Sequence, residues 1–210
     1  LGRMTGFESR FDRFRPEVRD RWREKATPGG GIWYDLGPHL LDQACELFGM
    51  PSAILLELGA RRDGARADDD FLALLEYDDR RVSLSAGTLV AEPTPRYRVH
   101  GTKGSYIKYG LDPQEDRLKA GETPSAAWGA DGPGILTLRE GEGEEAPLVR
   151  HDHPSMPGDY LAYYQGVSAA IRDKAPLPVD IDDALRCMAL LEAGLDSHRQ
   201  RRWIPLKHHL

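Results

Sequence analysis

The chain holds 210 residues, 40% hydrophobic and 30% charged, with a formal net charge of −6. That length can bury a sizeable core as one large domain. The acidic balance excludes nucleic acid as the default partner, and no apolar run approaches the roughly 18–20 residues of a membrane-spanning helix. The basic clusters Arg61-Arg62, Arg80-Arg81 and Arg199 to Arg202 each lie near acidic residues or at an element end. Cys45 and Cys187 fall in apolar-periodic stretches, so buried reduced thiols and a cytoplasmic location are expected, and a disulfide between them stays open. Asparagine is absent, which removes any N-glycosylation acceptor. No charged-then-apolar stretch reads as a signal peptide, and the chain begins at Leu1 without an initiator methionine and enters strand-like sequence almost at once, so it is expected to be a fragment of a longer protein.

Leu1 to Glu8 has modest strand character. Phe11 to Lys25 is rich in Arg, Phe and Trp, and Pro16 suits the first turn of a short helix. Gly29-Gly30-Gly31 permits a tight backbone path into an amphipathic helix over about Asp35 to Phe48. At roughly 100° per residue, Leu36, Leu40, Ala44, Leu47 and Phe48 gather on one side, and Asp35, His39, Asp42 and Glu46 on another. Gly49 and Pro51 end it. After Pro51 the period becomes that of strands: Ala53 to Ala60, Phe71 to Tyr77, Arg81 to Leu89 and Arg96 to His100. Tyr77-Asp78-Asp79-Arg80 is a hairpin turn, which makes its flanking strands antiparallel. Gly101-Thr102-Lys103-Gly104 is another tight turn, leading to a strand at Ser105 to Tyr109. Asp112 to Ala146 reads as a long excursion, rich in Gly, Pro and Glu, with one short strand at Ile135 to Arg139. Helices at Gly158 to Asp173 and about Asp182 to Arg199 follow, with Trp203 to Leu206 as a closing strand. Helices at both ends of a run of strands predict an α+β fold, a mostly antiparallel open sheet with helices packed on one face.

Asp35 and His39 carry the most specific chemistry. Their i,i+4 spacing puts them on one helix face, where the carboxylate can hydrogen-bond the imidazole and fix its tautomer. A neutral ring nitrogen can then accept the proton of a substrate hydroxyl as a general base. The competing reading makes Asp35 a helix N-cap and His39 a solvated residue, but Pro38 would then stand at N3 with no N–H to donate. Trp22 and Arg23 precede the glycine turn closely enough to wall the same pocket, and Trp22 could equally be core. Tyr160, Tyr163 and Tyr164 read as helix-packing residues, one of which could reach the site.

Other motifs fall to plainer readings. Gly141-Glu142-Gly143-Glu144-Glu145-Ala146 matches a dinucleotide fingerprint on paper, but it follows no long strand and its glutamates would repel a pyrophosphate, so it is a loop. His151-Asp152-His153 offers two metal ligands without a third at any recognised spacing and reads as a polar loop, so no metal site is assigned. Cys45 has no neighbouring base to activate it.

The stretch Gly29-Gly30-Gly31-Ile32-Trp33-Tyr34-Asp35-Leu36-Gly37-Pro38-His39-Leu40-Leu41-Asp42-Gln43 resembles the opening of the C-terminal domain in the glucose–fructose oxidoreductase / inositol dehydrogenase / rhizopine-catabolism (Gfo/Idh/MocA) family. The similarity continues in Asp69-Asp70-Phe71, in Arg96 to Ser105, in Gly110 to Glu115, and in the last helix with Ser197 and the closing Trp203-Ile204-Pro205-Leu206. It covers nearly the whole chain. It implies that residues 1–210 form the C-terminal substrate-binding and oligomerisation domain of a two-domain dehydrogenase, whose Rossmann domain for NAD or NADP lies outside this chain. The D-x-x-x-H motif of the family sits beside the nicotinamide and corresponds to Asp35 and His39, with the histidine handling the proton. A lysine from the nucleotide domain normally completes the site. Pro38 departs from the small residue common at its position.

The expected function is therefore that of an NAD(P)-dependent oxidoreductase acting on a sugar, cyclitol or similar polyol, with the fragment alone inactive. The alternative is a non-catalytic sensor of the same fold. The resemblance also implies a homodimer or tetramer through the open sheet. Phe71, Ala73, Leu75 and Tyr77 supply one apolar face, helices can cover only one, and self-association is expected through the other.

Overall fold

The computed structural model describes residues 1–125, 128, 132–141, 143 and 145–206. Its strands are β1 (Met4–Arg10), β2 (Ala53–Gly59), β3 (Asp70–Glu76), β4 (Arg81–Gly87), β5 (Tyr97–Gly101), β6 (Gly104–Lys108), β7 (Gly134–Arg139), β8 (Leu148–His153) and β9 (Ile204–Pro205). The helices are α1 (Ile32–Phe48), α2 (Gln114–Lys119), α3 (Tyr160–Asp173) and α4 (Ile181–Gln200). The strands form one open sheet in the order β8-β7-β6-β5-β1-β4-β3-β2-β9. Every pair is antiparallel except β1 with β4, which run parallel. The α+β expectation holds.

Strand alternation decides what each face does. Ile54, Leu75, Val82 and Phe7 are register partners in a transverse row. All four are buried beneath α1 and α4. The same row runs on through Val99 to Tyr106 and Leu136, beyond the reach of those helices. The clamp over the covered half is Trp33, fully buried on α1. Its indole N–H donates to the Leu191 carbonyl of α4 at 3.2 Å, and its ring meets Phe71 edge-on at 4.9 Å. Gly37 and Gly194 let the two helices close on that ring: a Cβ at Gly194 would stand 2.7 Å from it, and one at Gly37 3.0 Å. Ser197, also buried, accepts from Leu56 N–H at 3.0 Å and donates to the Arg202 carbonyl at 2.7 Å, which fastens α4 to β2.

The opposite face carries a different row: Leu55, Leu74, Ser83, Glu8, Arg98, Ile107. Arg98 and Glu8 pair across it at 3.0 Å. No helix packs there among the described residues, and the apolar side chains cluster at the β2–β3 end as Leu55, Leu72 and Leu74, with Ile107 apart from them on β6. Phe71, Ala73 and Leu75 belong to the helix-covered side.

Four expectations need correction. The helix after Pro16 is only a 3-10 turn at Trp22–Glu24, because the backbone of Phe11 to Arg15 instead bonds along β4 and its continuation. Helix α1 starts at Ile32, three residues before Asp35. The excursion after Asp112 contains α2. His151 to His153 belongs to β8, an edge strand paired with β7, rather than to a loop. In the glycine–glutamate stretch, Glu142 and Glu144 lie outside the described residues. Around them Glu140 N–H bonds the Pro147 carbonyl, so the segment is the connection of the β7–β8 hairpin.

Candidate active site

The start of α1 is set by a residue far along the chain. Gly31 is the N-cap at φ +95°, a conformation that favours glycine, and any Cβ there would fall on the Asp68 carboxylate. Asp68 takes over the capping: its carboxylate accepts from Trp33 N–H at 2.8 Å and its carbonyl from Ile32 N–H at 2.8 Å. Burial pushes the Asp68 carboxyl above the usual range, against the pull of those N–H groups. Asp35 therefore lies one turn inside the helix and is not its cap. Pro38 stands in the helix interior, where it cannot donate to the Tyr34 carbonyl.

The Asp35 carboxylate goes to arginines. Arg23 Nη1 donates to Oδ1 at 2.7 Å, and Arg13 Nη1 lies 4.0 Å from Oδ2. Among the described residues no hydrogen bond joins Asp35 to His39, so the expected carboxylate–imidazole bond is not formed. The reason is that two guanidiniums compete for the carboxylate and win it by charge. His39 is solvent-exposed, and with Asp35 it lines an open cavity of about 1020 Å³. Tyr97, Tyr106, Lys108 and Leu136, on the uncovered half of the helix-side face, line it too, and Tyr160 enters from the start of α3. Both Asp35 and His39 thus face one chamber, which sits where the sheet emerges from beneath α1.

The two sequence candidates for substrate contact share one groove, and only Arg23 also reaches the large cavity. Arg23 lines the large cavity. Trp22, 60% exposed and so not core, lies under the Arg23 guanidinium at 5.3 Å and lines a groove on the other flank of His39. That groove, about 340 Å³, is shared with Tyr34 and Pro38.

The sequence reading missed what holds Arg23 in place. Asp69, 1% exposed, accepts from the backbone N–H of Arg61 and Arg62 and from Arg62 Nε at 2.7, 3.1 and 2.9 Å. Arg62 reaches on to Glu24 at 3.1 Å and to the carbonyls of Arg15 and Glu17. A buried carboxylate on one loop thereby fixes the irregular segment that presents Arg23. The only hint was an Arg-Arg pair seven residues before an Asp-Asp-Asp run.

Residues 1–206 match the sequence model described as "Oxidoreductase family, C-terminal alpha/beta domain" of the Gfo/Idh/MocA group. The chain belongs to that oxidoreductase family. It is 49% identical over 208 residues to the uncharacterised oxidoreductase YdgJ of Escherichia coli, covering 98% of this chain and 59% of YdgJ. It is 39% identical over 209 residues to the scyllo-inositol 2-dehydrogenase (NADP(+)) IolW of Bacillus subtilis, covering 98% of this chain and 57% of that one. Among solved structures, YPO2259 of Yersinia pestis superposes with a TM-score of 0.90 at 48% identity, over 100% of this chain and 58% of its own. The chain thus spans under three fifths of the length of these relatives.

Among the described residues, no group of three or more His, Cys, Asp or Glu is placed to hold a metal, and no helix is long and apolar enough to cross a membrane. His151 instead pairs with Glu140 at 2.8 Å, and His153 packs edge-on against Tyr106 at 6.2 Å.

Proposed function

We propose that this chain is the substrate-binding domain of a cytoplasmic NAD(P)-dependent oxidoreductase acting on a sugar, cyclitol or similar polyol. The observation that carries the reading is His39 and Asp35 lining one open chamber, with the carboxylate already committed to Arg23 and Arg13. His39 takes the proton of the substrate hydroxyl, and the exposed ring can pass it to water. Asp35 acts as the counter-ion that holds two arginines at the chamber wall. Arg23 then meets the substrate's oxygens, and Trp22 lines the flanking groove.

The nicotinamide cofactor, when bound, supplies the hydride acceptor or donor. Among the described residues the glycine–glutamate connection offers it no pyrophosphate cradle, because it links two antiparallel strands instead of leading from a strand into a helix. The described residues fit only the reactive end, at the His39 side of the chamber. The dinucleotide body is then held by a companion domain. Two features support one. The relatives run well beyond the matched region, and α3 has no buried residue, leaving Leu161, Tyr164 and Ile171 open along its length. A helix so short gains little stability alone in water.

The test is His39→Ala in the two-domain enzyme with a confirmed polyol substrate. Turnover should fall by about two to four powers of ten, the range for a lost general base. Unchanged turnover removes the role. Self-association into a dimer or tetramer through the open sheet face is proposed on the cluster of exposed Leu72 with half-buried Leu55 and Leu74. Leu72→Asp should then shift the sedimenting species to monomer, and an assembly indifferent to it would place the contact elsewhere.

A further inference from the structure

Arg96 is only 7% exposed, yet among the described residues it forms no ion pair. Its guanidinium has neutral partners only. Nη1 donates to the Arg10 carbonyl at 2.7 Å, and Nη2 to Gln43 Oε1 at 3.2 Å. The Tyr97 hydroxyl donates to that same Gln43 oxygen at 3.1 Å. The guanidinium carbon lies over Phe11 at 4.7 Å and over Tyr97 at 5.0 Å. Arg13 lies over the same Phe11 ring at 4.8 Å. A cation taken out of water is costly unless something anionic compensates it. Stacking on rings and neutral acceptors offset part of that cost and leave the charge in place.

All these side chains line the chamber of Asp35 and His39. The carboxylates that share it are engaged elsewhere. Asp35 answers Arg23 at 2.7 Å and Arg13 only at 4.0 Å, Glu115 pairs with Lys119 at 2.6 Å, and Asp112 accepts from Gln114. Around Phe11, then, one buried guanidinium has no counter-ion and a second has a distant one. Both are rigid, planar donors suited to anionic oxygens.

We infer that the chamber takes a polyhydroxylated acid: a substrate whose anionic end group, carboxylate or phosphate, seats at the Arg13–Phe11–Arg96 stack while a hydroxyl reaches His39. This rests on the polyol-oxidoreductase reading and narrows its substrate class. It also gives Gln43 and Tyr97 a task, since the oxygen they share holds the Arg96 fork at a fixed angle.

Calorimetric titration of the two-domain protein with D-gluconate, D-glucose 6-phosphate and neutral D-glucitol tests this. At least one anion should bind about tenfold or more tightly than glucitol, the effect of one charge-assisted hydrogen bond. Whichever anion binds tighter names the end group. Arg96→Gln should abolish that preference. Because a buried arginine can matter for folding, Arg13→Gln, at a more exposed site, is the second variant and should cut the preference at least about threefold. Equal binding of gluconate, glucose 6-phosphate and glucitol overturns the anion site and leaves the polyol reading standing. Absence of binding by either anion, or a preference indifferent to both variants, overturns it as well. Loss of the hydride-transfer reading would show separately, in the His39→Ala turnover.

Discussion

One face of one sheet has two fates. From β2 to β1 it lies under α1 and α4, and its inward residues are buried hydrocarbon such as Ile54, Leu75 and Val82. From β5 to β7 the same rows continue uncovered, and the positions become Tyr97, Tyr106, Lys108 and Leu136 around an open chamber. The register is continuous; only the cover changes. The site thus needs no special scaffold, because it arises where the helices stop. Its candidate histidine, His39, comes from the helix at that border.

If that division is right, the largest effect should come from unclamping the covered half. Trp33→Ala removes a fully buried indole and its bond to Leu191, and should cost about 3–5 kcal/mol in denaturant unfolding. A loss under about 1 kcal/mol would mean that the helices are held by something other than this ring. Next comes a difference in local stability. Backbone amides of β3 and β4 should exchange with deuterium at rates set by global unfolding, and those of β7 and β8 at least about tenfold faster. Uniform protection across the sheet would erase the distinction between the halves.

The smallest expected effect concerns the thiols where α1 meets α4. Burial, with a lesser push from the partner thiol on Cys45, raises both Cys45 and Cys187 from 9.0 to about 11. A group whose folded value is raised keeps its proton longer in the folded chain. Its stabilising contribution is therefore whole below the unfolded value near 9 and fades as pH climbs towards 11. Alkylation by iodoacetamide at pH 8 should be slow in the folded protein and fast in urea. Equal rates would place the thiols at the surface.

Much of this was legible in the sequence, and the boundary of legibility is physical. The alternation of β3 and the 3.6-residue apolar spacing of Leu36, Leu40 and Ala44 named the covered half, because burial there imposes periodicity. The uncovered half imposes none. In strand β8, Leu-Val-Arg-His-Asp-His, the His-Asp-His end reads as polar loop because an exposed edge needs no apolar face. The candidate residues Asp35 and His39 were readable from local spacing, but their relation to each other was not. The arginines that claim the carboxylate sit 12 and 22 positions upstream, and a third, Arg62, holds that segment from further downstream. The start of α1 was misplaced for the same reason: its cap is Asp68, 35 positions from the N–H it satisfies.

That last contact has a practical consequence. The turn from Arg61 to Asp68 includes a solvent-exposed Gly64 and would ordinarily be chosen for splicing in an epitope tag or a fluorophore. Here its far end is the lid of the helix that carries His39, and its near end tethers the segment that presents Arg23. A graft in that turn would therefore be felt at the chamber, and labels belong instead on the β7–β8 connection.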